Sequence, residues 1–216
     1  MKSEAKKMFF RFIRQVARVI VFIINGRASY EQRDKLPKDT NYILVAPHRT
    51  WWDPIYLALA ASPKEFSFMA KEELFKNPIL RFILTKAHAF PVKRDNPGPS
   101  VIKTPVKSLK NSDLSLIMFP SGTRHSDELK GGAALIAKMA KVPIVPAVYQ
   151  GPVTLGGLFK RKKVTVRFGD PIYITDIPKM NQEGIQEVEH RMMTAFEKLD
   201  KEVNPDFVYI PKNKKS

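Results

Sequence analysis

The 216-residue chain contains no cysteine. That absence excludes a disulfide framework, a thiol nucleophile and thiolate metal sites, and it suits a cytosolic setting. Histidine is scarce as well. The four present, His48, His88, His125 and His190, show no ligand spacing with acids, so the sequence implies no metal. No apolar run approaches the roughly 20 residues needed to span a bilayer. Near the N-terminus the longest, Val19 to Ile24, is also short for a signal-peptide core, and no small-residue cleavage pattern follows it. There is no P-loop, no internal repeat and no composition break that would force a second domain.

Acid is in short supply: 21 Asp+Glu stand against 37 Lys+Arg, a formal net charge of +16. Such a surface seeks phosphate, whether in nucleic acid, an anionic membrane or anionic substrates and carriers. Nucleic acid is not expected, because the aromatic residues sit in apolar runs rather than interleaved with a basic groove. Trp51 and Trp52 lie between His48 and Asp53, which favours substrate or core packing over base stacking.

Along residues 1 to 25, Lys7, Arg11, Arg14 and Arg18 recur at helical steps, and Phe9, Phe12, Ile13, Val16, Ile20 and Ile23 fall on other sides of the same helix. A basic amphipathic helix with bulky aromatics suits the membrane interface. Each Lys or Arg near an anionic surface adds about 1 kcal/mol, and from Lys2 to Lys35 nine such residues face three acids. The expectation is a peripheral or interfacial protein at the cytoplasmic face of the cell membrane, with an anionic membrane surface as partner. The alternative is an ordinary helix packing its apolar side on the core.

The rest of the chain alternates short apolar runs with helical patterns, which predicts an α/β fold with a mixed central sheet flanked by helices. Strands are expected over 42–46, 66–70, 88–92, 114–119, 144–149 and 164–168, and a polar connector over 31–41. Helices are expected over 55–61, 133–140 and 183–203; one opening at Lys71 should bend or break at Pro78, and one interrupted by prolines should reach Lys110. Three segments follow: 1–36 helical and membrane-contacting, 37–210 an α/β domain, and 211–216 a basic, disordered tail.

The first strand runs into Pro47-His48-Arg49-Thr50-Trp51-Trp52-Asp53-Pro54. Asp53 reads as a helix N-cap with Pro54 at the first helical position. Chemistry in α/β sheets gathers at such strand-to-helix loops. Five residues along a continuous helix turn about 500°, roughly 140° off one face, so His48 and Asp53 meet only because the chain turns between them. An Asp carboxylate on one imidazole nitrogen would fix the tautomer and leave the other nitrogen as a base. No nucleophile elbow accompanies the pair, so the proton removed would come from a substrate hydroxyl. A second donor-rich loop, Pro120-Ser121-Gly122-Thr123-Arg124, follows the strand 114–119 and suits a phosphate cradle: hydroxyls, exposed backbone N–H groups and a guanidinium that can form two parallel bonds.

These stretches resemble the HxxxxD glycerolipid acyltransferases, in particular the 1-acylglycerol-3-phosphate acyltransferases. His48 to Asp53 matches the HxxxxD block. Lys71 to Pro78 looks like the K-x-E-L-x-x-x-P block, with Phe90-Pro91-Val92-Lys93-Arg94 resembling its arginine-bearing end. Phe119 to Arg124 looks like F-P-E-G-T-R, and Val142 to Ala147 resembles V-P-[IV]-x-P. Two departures stand out: Ser121 replaces the usual Glu, and Arg81 and Ala87 stand where glycine is common.

The resemblance implies acyl transfer to the free hydroxyl of lysophosphatidic acid, giving phosphatidic acid. His48 would be the general base and Asp53 its orienting partner. Lys71, Arg94 and Arg124 would hold the phosphate, with Ser121, Gly122 and Thr123 shaping that site. No cofactor is implied; the co-substrate would be an acyl thioester on acyl carrier protein or coenzyme A. Loop N–H groups near His48 are candidate oxyanion donors. The alternatives are an acyltransferase on glycerol 3-phosphate or another lysophospholipid, and a non-catalytic basic membrane- or nucleic-acid-binding protein.

Overall fold

A computed structural model describes residues 2–93, 98–121 and 129–209. The elements in chain order are α1 (Lys2–Asn25), β1 (Ala28–Glu31), β2 (Ile43–Val45), α2 (Asp53–Ala60), β3 (Phe66–Lys71), α3 (Pro78–Lys86), β4 (Ala89–Val92), α4 (Ser100–Asn111), β5 (Ser115–Met118), α5 (Gly132–Ala140), β6 (Ile144–Gln150), α6 (Leu155–Phe159), β7 (Val164–Phe168) and α7 (Gln182–Val203). The expected tail 211–216 lies outside the described residues.

The strands form one seven-stranded sheet in the order β1-β7-β6-β2-β5-β3-β4. Neighbours run parallel except β6 and β7, so the sheet is mixed, as the sequence implies. Successive side chains of a strand face opposite sides, and both sides of β2 are covered. Ile43 and Val45 join a core with Leu109 of α4, Ile136 of α5 and Met192 and Phe196 of α7. Leu44 and Ala46 face Leu57 and Ala60 of α2 and Leu158 of α6, with Val21 and Ile24 of α1 packed against that layer. Full burial of each large aliphatic side chain contributes about 1.5–3 kcal/mol, and these two layers fix where the strand ends emerge.

Four local features differ from the sequence reading. Residues 28–31, where the sequence predicts no strand, form β1, a half-buried edge strand on β7 whose last residue, Glu31, accepts a bond from Arg167 at 2.7 Å. Ala28 and Tyr30 pack on the core and alternate with Ser29 and Glu31, but four residues are too few for that period to stand out in the sequence. Pro78 begins α3 instead of breaking a helix. A 3-10 turn at Glu72–Phe75 precedes it, and the Asn77 side chain caps α3 by accepting from the N–H groups of Ile79 and Leu80. Pro at the first helical position forfeits only an N–H that has no intrahelical partner. Helix α4 is continuous through Pro105, which is buried with Val106 and Leu109. The short α6 has no counterpart among the expected elements.

Helix α1 ends at Gly26, whose φ of +82° is the left-handed geometry glycine adopts without a Cβ clash. The Gly26 N–H closes the last turn on Phe22 O at 2.8 Å, and β1 begins two residues later.

Candidate active site

The parallel neighbours β2 and β5 end side by side, with Val45 opposite Met118. That register brings the loop 46–52 beside Phe119, Pro120 and Ser121. The His48 ring stacks on Phe119 with centroids 4.2 Å apart, and its Nδ1 lies 3.3 Å from Asp53 Oδ2. The expected pair therefore meets.

Asp53 is fully buried, yet it is not the helix cap the sequence predicts. It is the first residue of α2, Pro54 the second, and the carboxylate turns back onto the loop. Oδ2 accepts from the backbone N–H of Arg49 at 2.6 Å and of Thr50 at 2.7 Å, while Thr50 Oγ1 donates to Oδ1. A buried charge needs such partners, and the N-terminal end of α2 favours its sign. These bonds also remove two expected oxyanion donors, because the Arg49 and Thr50 amides already point at Asp53. With Nδ1–H directed at Asp53, the other imidazole nitrogen, Nε2, is left as an acceptor.

Several contributors lie outside the expected set. The Arg49 guanidinium is buried and meets Asp200 of α7, with Nη1 donating to Oδ1 at 3.0 Å and Nη2 to Oδ2. Nη1 also donates to the Tyr149 carbonyl at 2.6 Å. Trp52 Nε1 donates to the Tyr149 hydroxyl at 3.0 Å, and that hydroxyl donates to Pro152 O at 3.1 Å. Burial pushes the Tyr149 phenol well above its ordinary pKa, so it stays neutral. One sequence signal for Asp200 exists: Met192, Phe196 and Asp200 follow one another at steps of four, which places an acid on the apolar stripe of α7. Its partner, 151 residues upstream, carries no such mark.

Of the expected phosphate ligands, Lys71 is exposed at the carboxyl end of β3 and Ser121 is buried just after β5. Pro47, Arg49, Ser121, Phe196 and Asp200 help line a cavity of about 270 Å³ between the strand ends and α7. Arg94, Gly122, Thr123 and Arg124 lie outside the described residues, as does His125. His88 stacks on Phe10 of α1, with centroids 4.9 Å apart. Among the described residues, no group of three or more His, Asp or Glu side chains is placed to hold a metal ion.

The family model named Acyltransferase matches residues 27–150, which span β1 to β6 and both loops. A 1-acyl-sn-glycerol-3-phosphate acyltransferase of Streptococcus pneumoniae is 56% identical over 200 residues, 92% of this chain and 76% of that protein. One from Bacillus subtilis is 43% identical over 169 residues, 77% of this chain and 84% of its own length. Among solved structures, the 1-acyl-sn-glycerophosphate (LPA) acyltransferase PlsC of Thermotoga maritima superposes with a TM-score of 0.72 at 20% identity. That superposition covers 97% of this chain and 85% of that one, a likeness of fold. The matched span holds His48 and Asp53 at the strand ends, and the chain belongs to the acyltransferase family.

Proposed function

We propose that the protein transfers a fatty acyl group from an acyl thioester to the free hydroxyl of 1-acyl-glycerol-3-phosphate, giving phosphatidic acid. The observation that carries the reading is the His48–Asp53 pair at 3.3 Å, at the carboxyl end of β2. The names of the relatives from S. pneumoniae and B. subtilis support the acceptor.

His48 Nε2 takes the hydroxyl proton as the oxygen attacks the thioester carbonyl carbon. The tetrahedral intermediate collapses with cleavage of the C–S bond, and the imidazolium returns its proton to the departing thiolate. Ester and thiol form, and no redox partner is needed. Base catalysis of this kind contributes about 10²–10⁴-fold, and alignment of the two substrates supplies much of the rest. Asp53 holds the His48 tautomer and stabilises the transient imidazolium. Lys71, Arg94 and Arg124 take the acceptor phosphate, with Ser121, Gly122 and Thr123 shaping its site. The reaction needs no resident cofactor, because acyl carrier protein or coenzyme A brings the acyl group as co-substrate.

The acceptor is a lipid, and the protein meets it at the cytoplasmic face of the cell membrane as a peripheral protein. Among the described residues no helix is long and apolar enough to cross a bilayer. Helix α1 instead leaves Met8, Phe12, Val19, Ile20 and Ile23 exposed, Phe12 at 64% and Ile23 at 62%. Its C-terminal end meets α6, where exposed Leu155 and Phe159 precede the basic run Lys160 to Lys163. Apolar anchors beside clustered cations suit an anionic leaflet.

The test offers a labelled acyl thioester, on acyl carrier protein and on coenzyme A, to lysophosphatidic acid and glycerol 3-phosphate side by side. Phosphatidic acid is expected from wild type and not from His48→Ala. Product from glycerol 3-phosphate alone would overturn the acceptor, and equal turnover by His48→Ala would overturn the base.

A further inference from the structure

We propose that Arg49 and Asp200 are positioning residues, a clamp that holds the loop carrying His48 and Asp53 in its reactive geometry. The proposal rests on His48 being the base. Arg49 follows His48 directly, and its amide, its carbonyl and both terminal guanidinium nitrogens are bonded. Its amide donates to Asp53 Oδ2 at 2.6 Å, its carbonyl accepts from the Tyr209 hydroxyl at 3.4 Å, and its guanidinium forks onto both carboxylate oxygens of Asp200.

Asp200 is held in turn. Gln150, at the end of β6, donates through Nε2 to Asp200 Oδ1 at 3.0 Å and to its backbone carbonyl at 2.8 Å. The chain beyond α7 returns over the clamp, placing the Phe207 ring 4.6 Å and the Tyr209 ring 5.4 Å from the guanidinium carbon. A planar fork on a carboxylate, stacked on aromatic rings, sets direction as well as distance. The loop is thereby tied to α7 and β6 within one residue of the reacting imidazole.

A buried ion pair by itself is weak evidence of stabilisation, because an apolar pair of similar volume often does as well. What the apolar pair cannot reproduce is the fork. That difference separates positioning from stability, since a misplacement of about 1 Å costs about a hundredfold in rate.

The experiment compares wild type, Arg49→Met, Asp200→Leu, the double variant and Asp200→Asn in the full chain. It reads melting temperature, kcat and KM for lysophosphatidic acid, and hydrogen exchange at the Arg49 and Thr50 amides. Each single replacement by Met or Leu should lose stability and turnover. The double variant should recover the melting temperature while kcat stays at least about tenfold down, KM changes less than about twofold, and both amides exchange at least about tenfold faster. Recovery of kcat together with melting temperature would overturn the proposal. If the double variant does not fold, Asp200→Asn keeps the shape and loses the charge; the same split in kcat and KM is expected, and unchanged kcat overturns. If wild type transfers no acyl group, the reading of His48 fails separately, and amide exchange decides the clamp: unchanged protection in the variants overturns it.

Discussion

Asp53 offers a way to separate folding from chemistry at a single position. Its carboxylate faces three N–H donors, the Arg49 and Thr50 amides and His48 Nδ1, and the Thr50 hydroxyl. Replacement by Ala leaves the two buried backbone amides beside an apolar methyl, while the His48 imidazole can move its proton to Nε2. An unsatisfied buried donor costs about 1–3 kcal/mol, so the loss is about 2–6 kcal/mol before the loop relaxes. A domain of this size shifts its melting temperature by about 2–4 °C per kcal/mol, so Asp53→Ala should melt at least about 4 °C lower. Asp53→Asn behaves differently. Its amide oxygen can take the place of Oδ2, and its NH₂ can donate to Thr50 Oγ1, which accepts as readily as it donates. The fold should survive with a melting temperature within a few degrees of wild type. Turnover should still fall at least about a hundredfold, because a neutral amide stabilises an imidazolium poorly. Thermal unfolding and labelled acyl transfer measure the two effects independently. An Asp53→Ala protein that melts with wild type would refute the account of the carboxylate as the loop's acceptor, and an Asp53→Asn enzyme within threefold of wild-type kcat would refute its role toward His48.

Other consequences are testable with less apparatus. Replacing Lys71 or Arg124 by Ala should raise KM for lysophosphatidic acid at least about fivefold with a smaller effect on kcat, read from initial rates; an unchanged KM removes that residue from the phosphate site. Phe12→Ser with Ile23→Ser should weaken co-sedimentation with anionic vesicles while leaving the melting temperature within a few degrees, since both side chains are exposed; undiminished binding would dismiss α1 as the contact. Bonding to Arg191 holds the exposed Asp176 carboxyl below the usual carboxylate range. A depressed folded pKa gives stability that is complete above the unfolded value of about 3.9 and fades as pH falls through the folded one. The melting difference between wild type and Asp176→Asn should therefore shrink as pH drops below about 3.9, and a difference that grew instead would reverse the sign of that coupling.

Elements with strong periodicity were legible in the chain: β2, β5 and β6 are near-continuous apolar runs, and α7 keeps its stripe through Val188, Met192 and Phe196. Elements decided by distant partners were not. Strand β1 pairs along the edge that β7 offers, and the alternation of Ala28 and Tyr30 with Ser29 and Glu31 is too short to stand out by itself. Asp53 was legible as an acceptor but misassigned in its donors, because a helix cap and a loop acceptor place the same residue at the same point of the sequence. Arg49 reads as one more cation among 37, and only the packing of α7 against β6 reveals that it is buried against Asp200.

Gly26 gives the molecule a mechanical property. Only Gly26 and Arg27 separate α1 from an edge strand paired with β7, and the far side of that junction is bolted by Asn25 to Lys162 O and by Arg161 to Ile23 O. The C-terminal end of α1 is therefore held to the α6–β7 connection on one side and runs into β1 on the other. In the proposed membrane-bound form, with α1 resting on a leaflet, these ties would set how far the His48 loop stands from the lipid.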